Sequence, residues 1–240
     1  MKIDVLPVYS KLPNSHLSSI TVIVVDVLRT TTNIVLAVQN GAGTVLPTND
    51  PADAVLFRNR LGMDNSILAG EIDGLKINGF DIGNSPSEFG ATTVRGKNVI
   101  LSANDGTATI CGVSGAKTVL IGAMINCEAV AKKALELGDD ILIICAGTNG
   151  KISADDLCGA GAIAAAVTAN APAEALELTD ITKICTLLYT SWRNNYIDLT
   201  TSASYAQLIE QGFAEDARVA LEQNTSDLAP KYENGIIQAL

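Results

Sequence analysis

Four segments of the chain bring carboxylates, cations, hydroxyls and glycines together at spacings that suit an anionic ligand and a divalent cation. In VVDVLRTTTN, Asp26 falls at the end of an apolar run, Arg29 follows three residues later, and Thr30, Thr31 and Thr32 open a helical pattern. A carboxylate so placed can ligate a metal or act as a nucleophile, and a guanidinium can fork a phosphate. The same spacing also suits a plain helix-approach cap, Asp26 paired with Arg29. The second segment, AGEIDGLKINGFDIGNSPSEFG at 69–90, is a Gly-rich loop with Glu71, Asp73, Asp81 and Glu88 as hard oxygen donors and Lys76 as an anion contact. Its Asn84-Ser85-Pro86 turn precedes a short helix. Magnesium takes few carboxylates plus waters and substrate phosphate, so these acids suit it better together than singly. In LSANDGTATI, Asn104, Asp105, Gly106 and Thr107 can form a backbone nest for phosphate or sulfonate oxygens, or an ordinary strand-to-helix turn. In ILIICAGTNGKISADDLCGAG, Gly147 and Lys151 follow an apolar run. Asp155 and Asp156 then open a helix, where one can cap it while the other faces a site.

Composition narrows the chemistry. The 240 residues carry Lys+Arg 16 against Asp+Glu 26, a net charge of -10, with no basic run. Nucleic acid and anionic membrane surfaces are therefore poor partners, whereas a divalent cation is a good one. The lone histidine, His16, excludes HExxH zinc sites and multi-histidine phosphatases. Cysteine phosphatases need Cys-x5-Arg, but lysines, Lys117 and Lys151, follow Cys111 and Cys145 at that spacing. An aspartyl-phosphate Asp-x-Asp motif fails because Leu28 stands where the second aspartate belongs, and GTNGKIS is too short for a Walker A loop. What survives is metal-assisted chemistry by carboxylates, with Arg, Lys and backbone N–H groups receiving an anion.

The elements that must position these groups alternate regularly. The chain is 48% hydrophobic and 18% charged, which predicts a large buried core. Short β-branched runs at Ile20–Asp26, Asn98–Leu101, Lys117–Ile121 and Asp139–Ala146 read as strands buried on both faces. Helical patterns run from Thr30 to Asn40-Gly41, from Asp50-Pro51 to Leu61-Gly62, and from Asn126 to Leu137 before Gly138. Ser153 and Asp156 resemble a capping box opening the Ala-rich helix Leu157–Ala169. The expectation is one α/β domain over residues 1–240, three-layer α/β/α with a mostly parallel or mixed central sheet. In it the 69–90 loop forms the site, and C-terminal helices at about 202–240 pack on that loop. No segment is apolar enough to span a membrane, and MKIDVLPVYS lacks the apolar core of a signal peptide. Five scattered cysteines without CxxC pairs read as reduced and cytoplasmic. The low aromatic content, 4%, with apolar helix positions, is compatible with a homodimer.

Together the segments VDVLRTTTNIV, LAGEIDGLKINGFDIGNSPSE, SANDGTATI and CAGTNGKISADDLCGAG resemble the 2-phosphosulfolactate phosphatase family. A weaker likeness, GFAEDARVALEQNTSDLAP, extends it to about residue 230. Ile72 and Asp105 stand where the family usually has arginine and asparagine. The resemblance implies a magnesium-dependent phosphatase that hydrolyses 2-phospho-3-sulfolactate to 3-sulfolactate and phosphate, a step toward coenzyme M. Such a small, highly anionic substrate enters an acidic protein only where a metal and local cations reverse the field. The expected metal ligands are Asp26, Glu71 and Asp81, then Asp155 or Asp156. Arg29 and Lys76 are the leading cations and, with Asp26, the catalytic group; Lys151 and Arg193 stand behind them. Thr30, Thr31, Asn84, Ser85, Asn104, Gly106, Thr107, Gly147 and Lys151 are expected to contact substrate. Attack by water activated on the metal and covalent attack by Asp26 are both open. So are a magnesium phosphatase for another phosphorylated hydroxy acid and a non-catalytic anion-binding relative.

Overall fold

Valine- and isoleucine-rich runs alternate with helices along most of the chain. The computed structural model describes residues 1–240, the side chains at positions 14 and 173 excepted. The strands are β1 (Lys2–Leu6), β2 (Thr21–Val25), β3 (Thr44–Thr48), β4 (Ser66–Ile72), β5 (Leu75–Lys76), β6 (Asn98–Ser102), β7 (Thr118–Gly122), β8 (Ile141–Cys145), β9 (Glu177–Leu178), β10 (Lys231–Glu233) and β11 (Ile236–Gln238). The helices are α1 (Asn14–Leu17), α2 (Thr30–Gln39), α3 (Pro51–Leu61), α4 (Ala91–Val94), α5 (Gly106–Gly112), α6 (Cys127–Leu137), α7 (Ala154–Ala169), α8 (Asp180–Arg193), α9 (Ala203–Glu210) and α10 (Ala214–Ala220).

The strands form one mixed sheet in the order β5-β4-β6-β3-β11-β10-β7-β2-β8-β1-β9. Two parallel blocks, β4-β6-β3 and β7-β2-β8-β1-β9, are joined by the antiparallel C-terminal hairpin β10–β11. Helices cover both faces, the α/β/α layering that the sequence predicts. Every residue of β2 and of β7 is buried, as a strand covered on both sides requires. On one face of β2, Ile23 and Val25 pack with Ile143 of β8, Val130 of α6 and Ile163 of α7. Val22 and Val24 point the other way, into a second core with Ile34 and Val35 of α2, Ile110 of α5, and Val45, Val99 and Leu101 of the other block. Each such side chain contributes roughly 1.5–3 kcal/mol by leaving water. One core thus contains residues of both parallel blocks, although β3, β11, β10 and β7 separate β6 from β2. The sheet is therefore bent around α2 and α5, and this bend brings the carboxyl ends of β4 and β6 to those of β2 and β8.

Local chemistry fixes the helix ends. Asp50 Oδ1 accepts the Ala52 N–H at 2.7 Å with Pro51 in the first turn, and Gly138 closes α6 at φ 74°. Two expectations need correction. Ser153 and Asp156 form no capping box: the Ser153 hydroxyl donates to Asp155 at 2.5 Å, while Asp156 turns to other backbone groups. The C-terminal segment is helical only to Ala220, and its last turn-and-strand pattern supplies the hairpin that joins the two blocks.

Candidate active site

The carboxyl ends of β2, β4, β6 and β8 surround a cleft of about 80 Å³, the place where open α/β sheets bind ligands. Four carboxylates line it, Asp26, Glu71, Asp73 and Asp105, against one basic residue, Arg29. The remaining wall is uncharged: Thr30, Asn84, Asn104, Thr148, Asn149, Ser204 and two glutamines are polar, and Leu28, Leu208, Gly74 and Gly147 complete it.

Asp26 ends the buried strand β2 and is only 7% exposed. Its backbone is locked by Thr31, whose hydroxyl donates to the Asp26 carbonyl at 2.8 Å and accepts the Asp26 N–H at 3.0 Å. Its carboxylate accepts the Thr30 N–H at 3.2 Å, so it does cap α2, while Arg29 pairs with Asp216 and not with Asp26 as the plain-cap alternative had it. Gly106, at the start of α5, packs directly on this carboxylate; a Cβ there would collide with Asp26 and Thr30. Burial lifts the Asp26 carboxyl from 3.8 to about 7, assisted by the Asp155 and Glu71 charges and opposed by the Thr30 bonds.

The Gly-rich loop arrives at the same place. Gly70 lies so close to the Ser102 carbonyl that no side chain fits, which lets the ends of β4 and β6 meet. Glu71 then bridges two segments, accepting the Asn104 N–H at 3.2 Å and the Gly74 N–H at 2.6 Å. Asp105 accepts the Asn149 N–H at 2.9 Å and ties the α5 and β8 loops together. Asn84 is held by the Asn33 amide, which donates to its carbonyl at 2.6 Å. Helix α9 covers the loop: Gln211 and Gln207 donate to the Asp73 carbonyl at 2.8 and 3.5 Å.

Arg29 reaches back to the C-terminal segment. Its Nη1 donates to Asp216 at 2.6 Å, its Nη2 to the Gly74 carbonyl at 2.8 Å, and its guanidinium lies 4.6 Å from the centre of the Phe213 ring. Arg29 and Asp216 are 3% and 7% exposed, so the pair is buried, and Ser85 donates to the other Asp216 oxygen at 2.5 Å.

Of the residues singled out from the sequence, the cleft collects Asp26, Arg29, Thr30, Glu71, Asp73, Asn84, Asn104, Asp105 and Gly147, with Gly106 against its floor. Others lie elsewhere. Asp81 turns away, bonded to the Leu68 N–H at 2.8 Å and paired with Arg58 at 3.0 Å, so Asp26, Glu71 and Asp81 do not converge. Asp156 sits behind the floor, accepting the Val27 and Gly147 N–H groups at 2.8 and 2.9 Å. Burial and then the charges of Asp155 and Asp26 push it well above the usual carboxylate range. Asp155, also raised by burial, meets the cleft only through hydroxyls, Ser153 to Ser204 at 3.2 Å and Ser204 to Thr148 at 3.3 Å. Thr31 and Thr107 spend their hydroxyls on backbone groups of Asp26 and Ala103. Ser85 and Lys76 line a neighbouring hollow, Lys151 is exposed outside the cleft, and Arg193 stacks on Tyr189 at the end of α8. The residues that reading by motif passed over, Ser204, Gln207, Gln211, Phe213 and Asp216, all come from the C-terminal segment. The GFAEDARVALEQNTSDLAP likeness, which begins at Gly212, covers Phe213 and Asp216 but not Ser204, Gln207 or Gln211, and no chemistry-bearing spacing marks any of the five.

The donor set is oxygen throughout, with no histidine or cysteine lining the cleft. Among the described residues no three acidic, His or Cys side chains stand close enough to enclose a metal by themselves. Carboxylate and amide oxygens of this kind are the donors a hard divalent cation takes, with water and phosphate completing its shell. The mutual repulsion that helps to raise Asp26 is what a cation would relieve.

Fold and site together define an α/β enzyme whose carboxylates stand where an anionic ester can enter. Comparison with known proteins makes the class specific. Residues 7–235 match the family model described as 2-phosphosulpholactate phosphatase. A protein of Caldanaerobacter subterraneus subsp. tengcongensis is 34% identical over 96% of this chain and 95% of its own length. Relatives from Clostridium beijerinckii and Carboxydothermus hydrogenoformans are 34% and 36% identical, over 99% and 96% of this chain and 99% and 93% of their own. All three carry the name probable 2-phosphosulfolactate phosphatase. The chain belongs to the 2-phosphosulpholactate phosphatase family, and thus to the phosphoric monoester hydrolases. Among the described residues no helix is long and apolar enough to cross a membrane.

Proposed function

We propose that this chain hydrolyses 2-phospho-3-sulfolactate to 3-sulfolactate and inorganic phosphate, with magnesium, in the cytoplasm, a step of the kind that leads toward coenzyme M. The observation that carries the reading is the charge of the cleft: four carboxylates against one arginine that already has a counterion. Such a site repels a substrate bearing phosphate, sulfonate and carboxylate unless a cation enters with it. Asp26 and Glu71 are the residues that would hold magnesium, and bound there it would neutralise charge on the phosphoryl oxygens. Arg29 uses two of its five N–H donors on Asp216 and Gly74 and has three left for phosphoryl oxygen. Thr30, Asn84 and Asn104 offer neutral donors to the sulfonate and carboxylate, and α9, through Gln207 and Leu208, closes one side of the cleft to water. Water then attacks phosphorus in line and the sulfolactate oxygen departs.

The reading is tested by phosphate release from 2-phospho-3-sulfolactate and from a panel of phosphorylated hydroxy acids, with magnesium and with a chelator. Magnesium-dependent release fastest from the sulfonate is expected. A preference for phospholactate or phosphoglycolate would move the substrate assignment, and no release from any of them would leave an anion-binding protein. No phosphorylated Asp26 is expected to be trapped during turnover; trapping one would instead mean covalent attack.

A further inference from the structure

We infer that Asp216, on the C-terminal helix α10, is a positioning residue for Arg29, holding the cleft's one cation where it receives an anion and off the carboxylates beside it. Arg29 opens into a cleft lined by Asp26, Glu71, Asp73 and Asp105. Left to itself in a buried setting, a guanidinium pairs with the nearest carboxylate, because a desolvated charge without a partner is costly. In this cleft that collapse would do double damage, taking away the anion receiver and quenching a group that a divalent cation needs. The structure supplies a different partner from 187 residues along the chain: Asp216 takes Nη1 at 2.6 Å. Both oxygens of Asp216 are committed, one to Arg29 and one to the Ser85 hydroxyl at 2.5 Å, so the carboxylate cannot follow the guanidinium into the cleft. The Gly74 carbonyl fixes Nη2 at 2.8 Å, and Phe213, on the same C-terminal segment, covers one face of the guanidinium at 4.6 Å. Arg29 is thereby held on three sides with donors to spare. The segment Phe213–Asp216 belongs to the site by this contact, although Asp216 itself does not line the cleft.

The inference rests on the phosphatase reading for what the anion is, and its test separates the two. Asp216→Asn keeps the shape and an oxygen for Ser85 but turns an amide N–H toward Arg29. It is compared with wild type in calorimetric titrations of inorganic phosphate and of magnesium, each on the full chain, and in steady-state hydrolysis of 2-phospho-3-sulfolactate. Phosphate affinity is expected to fall about tenfold or more and KM to rise alike, with kcat per folded molecule changed less, and magnesium affinity to fall as Arg29 competes for the carboxylates. A merely structural role would lower the active fraction and leave KM and both affinities as they were, and that result overturns the inference. Ser85→Ala, which keeps the ion pair but frees one Asp216 oxygen, is expected to weaken phosphate binding measurably but less than Asp216→Asn does, because Arg29 keeps its counterion. If Asp216→Asn does not fold, an unchanged Ser85→Ala affinity overturns the inference. If wild type binds phosphate and hydrolyses no ester, the proposed function fails while the Asp216 effect on phosphate still decides this one. Wild type that binds no phosphate defeats it outright.

Discussion

Asp26 and Asp156 are both buried aspartates beside the ends of neighbouring parallel strands, 7% and 2% exposed, and both are lifted well above the ordinary carboxylate range by burial. They differ in what their oxygens touch. Asp156 gives one oxygen to the Val27 N–H and the other to the Gly147 N–H, and so ties the β2 loop to the β8 loop. Asp26 accepts the Thr30 N–H at the longer distance of 3.2 Å, and its other oxygen lies against Gly106 at the cleft, where any side chain would strike it. Burial alone therefore does not mark a reacting group. The distinction lies in unspent acceptor capacity facing open space: Asp156 builds the floor, and Asp26 is the part of it that remains available.

The sharpest way to break that contrast is the same substitution at both positions. Asp26→Asn is expected to lower kcat/KM by about 10²–10⁴-fold, the range in which charged groups at the reacting centre act, with little loss of fold. Asp156→Asn is expected to leave the kcat of the folded fraction within a few fold while costing about 1–3 kcal/mol, because an amide N–H must then face a buried backbone N–H. Steady-state kinetics and chemical denaturation on the two variants measure both effects. Equal catalytic losses with equal stabilities would erase the distinction.

A smaller effect sharpens it through pH. In the metal-free chain Asp26 titrates at about 7 instead of 3.8, and burial raises Asp155 and Asp156 too. Between about pH 4 and 7 the folded state then binds more protons than the unfolded state, so these groups make stability fall as pH rises. Each proton held only by the folded state costs about 1.4 kcal/mol for every pH step of one, and the loss levels off above the folded-state titration. Asp26→Asn removes its share of this slope. Thermal melts are expected to show the variant losing less stability than wild type between pH 5 and 8, and melting higher than wild type at pH 8. Wild type and variant running parallel across that range would mean that Asp26 is not carrying the burial cost assigned to it.

The sequence made much of this legible. The strand at Ile20–Asp26, the helix closed by Gly138 and the position of Asp26 at a strand end follow from apolar runs, propensity and turn chemistry, which are local. Arg29, Glu71 and Asn104 were legible as candidates because residue type and strand-end placement select them. What was not legible depends on distance along the chain. The Asp216 partner of Arg29 and the glutamines over Asp73 come from a helical segment whose acids resemble any solvated face. Asp81 misled for the opposite reason, since within the loop it is as good an oxygen donor as Glu71. Only the turn after β5 decides which carboxylate faces the cleft, and Lys76 and Lys151 were misplaced by the same long-range geometry. The C-terminal strands were hidden because three-residue strands carry no readable period.

Asp81 gives the smallest effect and the third member of the comparison. It is 39% exposed, its carboxylate already has Arg58 at 3.0 Å and the Leu68 N–H at 2.8 Å, and the cleft lies elsewhere. An exposed ion pair of this kind is worth about 1 kcal/mol or less, and asparagine keeps an acceptor for the Leu68 N–H. Asp81→Asn is therefore expected to shift the denaturation midpoint by no more than that and to leave KM, kcat and the magnesium requirement within twofold of wild type. A tenfold loss of activity would put the Gly-rich loop's second aspartate back in the site. It would also show that a carboxylate with its acceptors occupied can still act, against the rule that separates Asp26 from Asp156. An unchanged enzyme would leave Glu71 and Asp73 as the acids of that loop at the cleft, with Asp81 holding the outer side of the loop in place.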